Sequence, residues 1–189
     1  MDGQKTLDNI DLADEYFGEG LAFYKNKLIQ LTWKKRTGFI YETEPKLALI
    51  KTFTFETTRN EGWGITYDES NKQFIVSDGS EYLHFWDEDT LQETHKVAVF
   101  DTMGKVRNLN ELEYYDKDRI MANKWYTDLI YIINIKSGQV EEVIDFSTLW
   151  PRSERGDGAD VFNGISVYDN GEFLVTGKLW PLMYRIKFI

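Results

Sequence analysis

Apolar residues along this chain come in short runs closed by turns, and the runs recur as a set. The first set falls at 21–24, 28–32, 37–41 and 46–55, with the turn Lys25-Asn26-Lys27 after the first run and Pro45 breaking the pattern before the last. Short runs separated by turn residues read as strands, and four in succession make one antiparallel sheet. A second set lies at 64–67, 73–77, 82–86 and 95–100, and a third at 112–115, 119–122, 129–135 and 140–146. The fourth has runs at 165–168, 173–176 and 182–188, with Asp169-Asn170-Gly171 as a strong hairpin signal, because Asn-Gly tolerates the positive φ of a tight turn. No fourth run follows. In a closed ring the missing outer strand usually comes from the other terminus, and residues 1–15 look poorly suited to supply it.

Each set opens on a related motif. Phe17-Gly18-Glu19-Gly20-Leu21 is echoed by Glu61-Gly62-Trp63-Gly64-Ile65, and in worn form by Asn110-Glu111-Leu112-Glu113 and Asn163-Gly164-Ile165. Counted from 19, 61, 111 and 163, the intervals are 42, 50 and 52 residues. A period of this size built from short strands is the signature of β-propeller blades. The chain is therefore expected to be all-β, with a lead-in over 1–15 and one propeller domain of about four blades over 16–189. A longer stretch, 147–162, holds Pro151, Gly156 and Gly158 and reads as a loop, a common place for functional residues.

Composition narrows the function classes. Of 189 residues, 15% are aromatic, which suits pleated surfaces. The net charge of −10 argues against a nucleic-acid partner and against an anionic membrane surface. The absence of cysteine excludes disulfides and thiolate metal sites. No run is long and apolar enough to span a membrane, and residues 1–14 are too polar for a signal peptide. His84 and His95, the two histidines, fall in separate strands of one repeat and are expected at the surface. No EF-hand loop, P-loop or Gly-x-Ser-x-Gly elbow is present.

Eight stretches stand in order along residues 16–188. They are Phe17-Gly-Glu-Gly-Leu21, Gln30-Leu-Thr-Trp-Lys34, Glu61-Gly-Trp-Gly64, Ser77-Asp-Gly-Ser80, Leu109-Asn-Glu-Leu-Glu113, Ala122-Asn-Lys-Trp-Tyr-Thr-Asp128, Asn163-Gly-Ile165 and Thr176-Gly-Lys-Leu-Trp-Pro181. Together they resemble the glutamine cyclotransferase family, the plant and bacterial type of glutaminyl-peptide cyclotransferase. The resemblance implies a five-bladed β-propeller that converts the N-terminal glutamine of peptides or proteins to pyroglutamate, with release of ammonia and with no zinc or other cofactor. It also implies a usually secreted protein with a further blade ahead of the Phe-Gly-Glu-Gly motif, where this chain has about fifteen residues. That departure keeps a second expectation open: a non-catalytic propeller that binds peptides or proteins. Oligomeric state is not legible.

Cyclisation asks a peptide's own α-amine to attack its γ-carboxamide and expel ammonia, so one carboxylate of raised pKa can move the proton. The resemblance places the catalytic glutamate at Glu19, between two glycines that allow close approach; the alternative is a glutamate bonding nearby backbone at a blade entrance. It carries substrate-contact roles onto Trp63, Asn110, Trp125 and Lys178. Each indole reads either as a pocket wall or as packing between blades. Asn110 holds a substrate amide or marks a turn. Lys178 meets a developing oxyanion or pairs with an acidic residue near the axis. Glu61, Glu111 and Glu113 read as hydrogen-bonding groups between blades, or as tuners of Glu19. Asp78, Asn123 and Asp128 read as structural.

Overall fold

The computed structural model describes residues 8–169 and 171–188. Four antiparallel sheets follow one another in chain order. Blade one comprises β1 (Gly18–Tyr24), β2 (Lys27–Thr32), β3 (Thr37–Glu42) and β4 (Ala48–Thr54). Blade two comprises β5 (Ile65–Asp68), β6 (Gln73–Ser77), β7 (Tyr82–Asp87) and β8 (Glu93–Ala98). A two-stranded ribbon, β9 (Phe100–Asp101) with β10 (Gly104–Lys105), leads to blade three. That blade comprises β11 (Leu109–Asp116), β12 (Arg119–Lys124), β13 (Leu129–Asn134) and β14 (Val140–Asp145). Blade four has three strands, β15 (Phe162–Val167), β16 (Glu172–Gly177) and β17 (Tyr184–Lys187). Within each sheet every strand pairs with the next in sequence, the up-and-down order of a propeller blade.

Strand alternation builds the cores between blades. Successive side chains point to opposite faces, so Phe74 and Val76 of β6 pack with Ala22, Ile29 and Leu31 of blade one. Ile75, between them, packs with Leu109, Leu112 and Ile120 of blade three. In the same way Ile120 and Ala122 of β12 face blade two while Met121 meets Phe162, Phe173 and Val175 of blade four. Each fully buried side chain of this size contributes about 1.5–3 kcal/mol. Three cores thus join four blades. On β1 the alternation turns Leu21 and Phe23 away from blade two, and both are exposed.

The opening motifs prove to be β-bulges. Gly18 pairs with Thr32 and Leu21 with Gln30, so one extra residue stands in β1. The same shift occurs between Leu109 and Leu112 against Lys124 and Ala122, and between Phe162 and Ile165 against Gly177 and Val175. A bulge re-aims the side chains it carries. In blade two the corresponding stretch precedes β5 and stays hydrogen-bonded, with Trp63 N–H to Ser77 O at 3.0 Å and Ser77 N–H to Gly64 O at 3.0 Å. The bulges explain why three innermost strands begin earlier than their alternation indicates, at 18, 109 and 162 rather than 21, 112 and 165. The extra residue breaks the period of two. The outer strand expected over 95–100 is β8, Glu93–Ala98, with Phe100 passing to the ribbon. The last strand is shorter than expected, Tyr184–Lys187.

Two other expectations concern the ends and turns. Residues 8–16 join no strand and lie along blade one: Leu47 N–H donates to Asp8 Oδ2 at 3.1 Å, and Tyr16 stacks edge-on against Phe39. Residues 1–7 of the lead-in lie outside the described residues, as does Asn170 of the hairpin signal. Its neighbour Gly171 has φ +75°, and Glu172 N–H bonds Asp169 O at 2.8 Å, as a tight turn requires. The loop after β14 carries one 3-10 turn, Arg152–Glu154, and is tied to blade three where Arg152 and Arg155 converge on Asp128 at 3.0 and 2.9 Å. Among the described residues no helix is long and apolar enough to cross a membrane.

Gly64 tests the packing of blades. A Cβ there would overlap the Asn110 carbonyl oxygen of the next blade, whereas one at Gly156 would meet open space. Gly64→Ala should lower unfolding free energy by about 1–3 kcal/mol, and Gly156→Ala should change it by less than about 0.5 kcal/mol. Urea titration of both variants checks this; equal midpoints would refute the close approach.

Candidate active site

The bulge in β1 presents Glu19, and the residue just beyond β16 is Lys178. Their side chains meet across 159 positions of sequence: Lys178 Nζ lies 3.2 Å from both carboxylate oxygens of Glu19. The Glu19 side chain is only 12% exposed and that of Lys178 29%, so the pair is shielded without being sealed. Burial raises the Glu19 pKa above the usual carboxylate range, Lys178 pulls it partly back, and the charge of Glu61 adds to the rise. The result is a carboxylate more basic than normal with a movable cation on it.

A row of aromatic rings borders the pair. Lys178 Nζ stands 5.7 Å over the Phe17 ring, and Phe17 meets Trp33 edge-on at 6.1 Å. Glu61 Oε2 accepts hydrogen bonds from two indoles, Trp33 Nε1 at 2.9 Å and Trp63 Nε1 at 2.8 Å. One carboxylate oxygen therefore fixes two rings from different blades. Trp63 then meets Trp125 edge-on at 5.1 Å, and Trp125 lies against Tyr126 at 4.1 Å. The backbone joins in, since Gly20 N–H donates to Trp63 O at 2.7 Å.

Asn110 stands on the β11 bulge, 4% exposed. Its backbone carbonyl accepts a 2.7 Å bond from Ser77 Oγ, which itself accepts Gly64 N–H at 2.9 Å. Its side-chain Oδ1 is buried and finds no partner among the described residues. Glu111 and Glu113 follow on the same strand and line a cavity of about 730 Å3, walled also by Leu21, Phe23, Ile65 and Ile165 from the other innermost strands. Glu113 is held by Thr66 Oγ1 at 3.3 Å, Tyr114 N–H at 2.7 Å and Val167 N–H at 3.2 Å. Burial raises its pKa, opposed by those bonds. The Glu111 carboxyl is pushed up to about 8 by burial, then by the charges of Glu113 and Glu19, with Lys178 opposing.

Four of the five expected site residues thus form one contiguous group: Glu19 with Lys178, and Trp63 with Trp125. Asn110 lies behind Gly64, buried, its Oδ1 without a partner among the described residues. Glu19 pairs with Lys178, the ion pair expected of Lys178 as the alternative to an oxyanion contact. The three other glutamates divide. Glu113 bonds across blades, while Glu61 and Glu111 sense or shift the charge of Glu19. Asn123 and Asp78 bond within the framework, Asn123 Oδ1 taking Gly164 N–H at 2.9 Å and Asp78 Oδ2 taking Arg59 N–H at 2.6 Å. His84 corrects its expectation: it is fully buried, whereas His95 is exposed. The role of Trp33 was not foreseen, though its place in the quoted Gln30–Lys34 stretch was the available signal. Among the described residues no group of three or more His, Cys, Asp or Glu is arranged to hold a metal ion.

The profile of the family described as glutamine cyclotransferase matches residues 1–188. The Arabidopsis thaliana glutaminyl-peptide cyclotransferase is 38% identical over 190 residues, covering 97% of this chain and 56% of its own. The chain spans about half the length of that curated relative. The crystal structure of Myxococcus xanthus glutaminyl cyclase superposes with a TM-score of 0.78 at 32% identity, over 90% of this chain and 72% of that one. The computationally designed Ika4 protein matches with a TM-score of 0.50 at 13% identity, over 98% and 99% of the two chains, a likeness of fold alone.

The Glu111 carboxyl gives a test of the site's electrostatics. In the unfolded chain it ionises near 4.5, in the folded chain near 8. Between those values the folded state holds the extra proton, so stability falls as pH rises through that window. Glu19 and Glu113 slope the same way over their own raised ranges. Glu111→Gln should therefore flatten, without abolishing, the loss of stability from acid to alkaline pH. Urea midpoints for parent and variant across that window decide it; parallel curves would place the Glu111 carboxyl in water.

Proposed function

We propose that this chain, which belongs to the glutamine cyclotransferase family, cyclises the N-terminal glutamine of peptides at the Glu19 site and releases ammonia. The observation that carries this reading is the Glu19–Lys178 pair, a buried carboxylate of raised pKa with a partly exposed ammonium on both oxygens.

The chemistry runs through that pair. The α-amine nitrogen attacks the side-chain amide carbon, forming the ring C–N bond. Glu19 takes the proton that the amine loses and becomes neutral. At that moment Lys178 loses its anionic partner while negative charge grows on the amide oxygen, so the ammonium turns from carboxyl to oxyanion. A lysine suits this task, being a point charge on a flexible stem rather than a rigid bidentate fork. Glu19 then gives its proton to the leaving nitrogen, the C–N bond of the carboxamide breaks, and ammonia departs. Glu19 and Lys178 recover their starting charges, and the proton taken from the amine leaves on ammonia.

The surroundings supply position. Attack is intramolecular, so holding the glutamine side chain folded back yields much of the rate. The indoles of Trp63 and Trp125 offer flat apolar walls for its methylenes, and Glu61 keeps Trp63 from turning. The unpartnered Asn110 Oδ1 suits an N–H of the substrate amine or carboxamide. The binding-module reading is separated from this one by turnover alone, since both need the same pocket.

Glu19→Gln keeps the shape and removes the proton carrier. It should cut ammonia release from a peptide with N-terminal glutamine by at least about 10²-fold with the melting curve still cooperative. Full activity in that variant would reject Glu19 as the shuttle. Trp63→Ala should raise KM as well as lower kcat; unchanged constants would leave the indole a packing residue.

A further inference from the structure

His84 takes no part in the chemistry above, yet it occupies an unusual place. It stands on β7, fully buried, between carboxylates from two other segments. Its Nδ1 meets Glu93 Oε2 on β8, and its Nε2 lies 3.4 Å from Asp78 Oδ2, just past the end of β6. The same Nε2 lies 3.5 Å from the backbone N–H of Thr58. Replacing a buried ionic group by apolar residues is often neutral or stabilising, so the contacts of His84 and Asp78 are worth following outward.

Both arms of the row end on Trp63. Asp78 accepts Arg59 N–H at 2.6 Å and Ser80 N–H at 2.9 Å, together with the Ser80 hydroxyl. Arg59 in turn reaches Gly79 O at 3.4 Å and sets its guanidinium 5.5 Å from the centre of the Trp63 ring. Gly79, at φ +74°, lies so close under that ring that a Cβ there would run into it. The second arm starts at Thr58. Its neighbour Thr57 closes the segment, Oγ1 donating to Glu61 O at 2.9 Å and accepting Glu61 N–H at 3.1 Å. Glu61 is the residue that holds the Trp63 indole N–H.

We infer that His84 is a positioning residue for the Trp63 wall: the Glu93–His84–Asp78 row, buried at His84 and Asp78 and open to solvent at Glu93, fixes Arg59, Gly79 and, through Thr58, Glu61 around the indole. The inference rests on the proposed use of Trp63 as a wall for substrate. The proton on the ring sets which arm is engaged. A charged imidazole donates from both nitrogens, to Glu93 and to Asp78. A neutral one that keeps its proton on the Glu93 side turns a lone pair toward Asp78, which repels it, and toward Thr58 N–H, which binds it. Loss of the proton therefore trades the Asp78 contact for the Thr58 contact and loosens the turn under Trp63. Burial opposes the charge, but Asp78 and Glu93 outweigh it and raise the His84 pKa above the ordinary histidine value. The other charged groups nearby are Arg59, Glu61 and Lys96, whose Nζ lies 3.2 Å from Thr58 Oγ1. His95 is stacked on Phe85.

The test reads Trp63 directly. The near-ultraviolet circular dichroism of the Trp63–Trp125 pair is taken as the difference between the parent and Trp63→Phe, from slightly acid to alkaline pH. In the parent this signal should change as His84 loses its proton; in His84→Gln it should be reduced and flat. Glu93→Gln changes a residue outside the pocket and guards against a His84 variant that fails to fold; its signal should be reduced and should titrate at lower pH. With a peptide carrying N-terminal glutamine, both variants should raise KM about fivefold, roughly 1 kcal/mol of binding, with kcat within about twofold. A Trp63 signal and KM that match the parent in the folded variants at every pH would overturn the inference and leave His84 a core residue. Should the parent release no ammonia, the proposed activity falls separately, and the optical titration alone upholds or rejects the positioning role.

Discussion

The structure depends on hydrogen bonds carried by the bulges at the mouths of the innermost strands. Each joins one blade to another. Gly20 N–H reaches Trp63 O, Ser77 Oγ bridges Gly64 N–H and Asn110 O, Glu111 N–H reaches Asn163 Oδ1 at 3.2 Å, and Gly164 N–H reaches Asn123 Oδ1. An extra residue frees backbone groups from their own ladder, and the neighbouring blade takes them up. The same distortion turns Glu19, Asn110 and Glu111 out of the alternating pattern and gathers them. Packing of successive blades and assembly of the site are one constraint, which is why glycines flank it: a side chain at Gly20 or Gly64 would collide with the backbone of the next blade.

That arrangement concentrates acids. The charge of Glu61 acts on Glu19 and that of Glu19 on Glu111, and Lys178 is the cation that opposes the rise at both Glu19 and Glu111. One cation among several carboxylates cannot neutralise them all, so burial and mutual repulsion raise proton affinity. Burial, then the charges of Glu113 and Glu19, push the Glu111 carboxyl up to about 8. Burial makes Glu19 more basic than an exposed glutamate, the direction a proton carrier needs.

Much of this was legible in the sequence, and the part that was not has physical causes. The four repeats and their order stood out because bulges and close approaches admit few residue types: Gly20, Gly62, Gly64 and Gly164 leave a visible spacing, whereas the candidate site residues came from the family resemblance. Strand starts at 18, 109 and 162 were missed because the bulge interrupts the alternation by which strands are recognised. The environment of His84 was invisible for another reason. A histidine in a strand gives the same letter whether it faces water or two acids, and its partners come from β8 and from beyond β6. The sharing of Glu61 between Trp33 and Trp63 likewise joins residues from two blades that only folding brings together.

The junction between blade four and blade one differs from the other three. Each of those has an apolar core. Here the described contacts are Lys178 with Glu19 and Lys178 with the Phe17 ring, while Leu21 and Phe23 of blade one remain exposed. An apolar core between sheets holds them at one distance, because close packing resists small displacements. A partly exposed ion pair contributes little to stability and tolerates movement. The proposed chemistry requires the ammonium to leave the carboxylate and follow charge to the substrate. Among the described residues no apolar core surrounds that pair, so the ammonium can move without disturbing packed side chains, whereas the Trp63 ring is held by Glu61, Gly79 and Trp125.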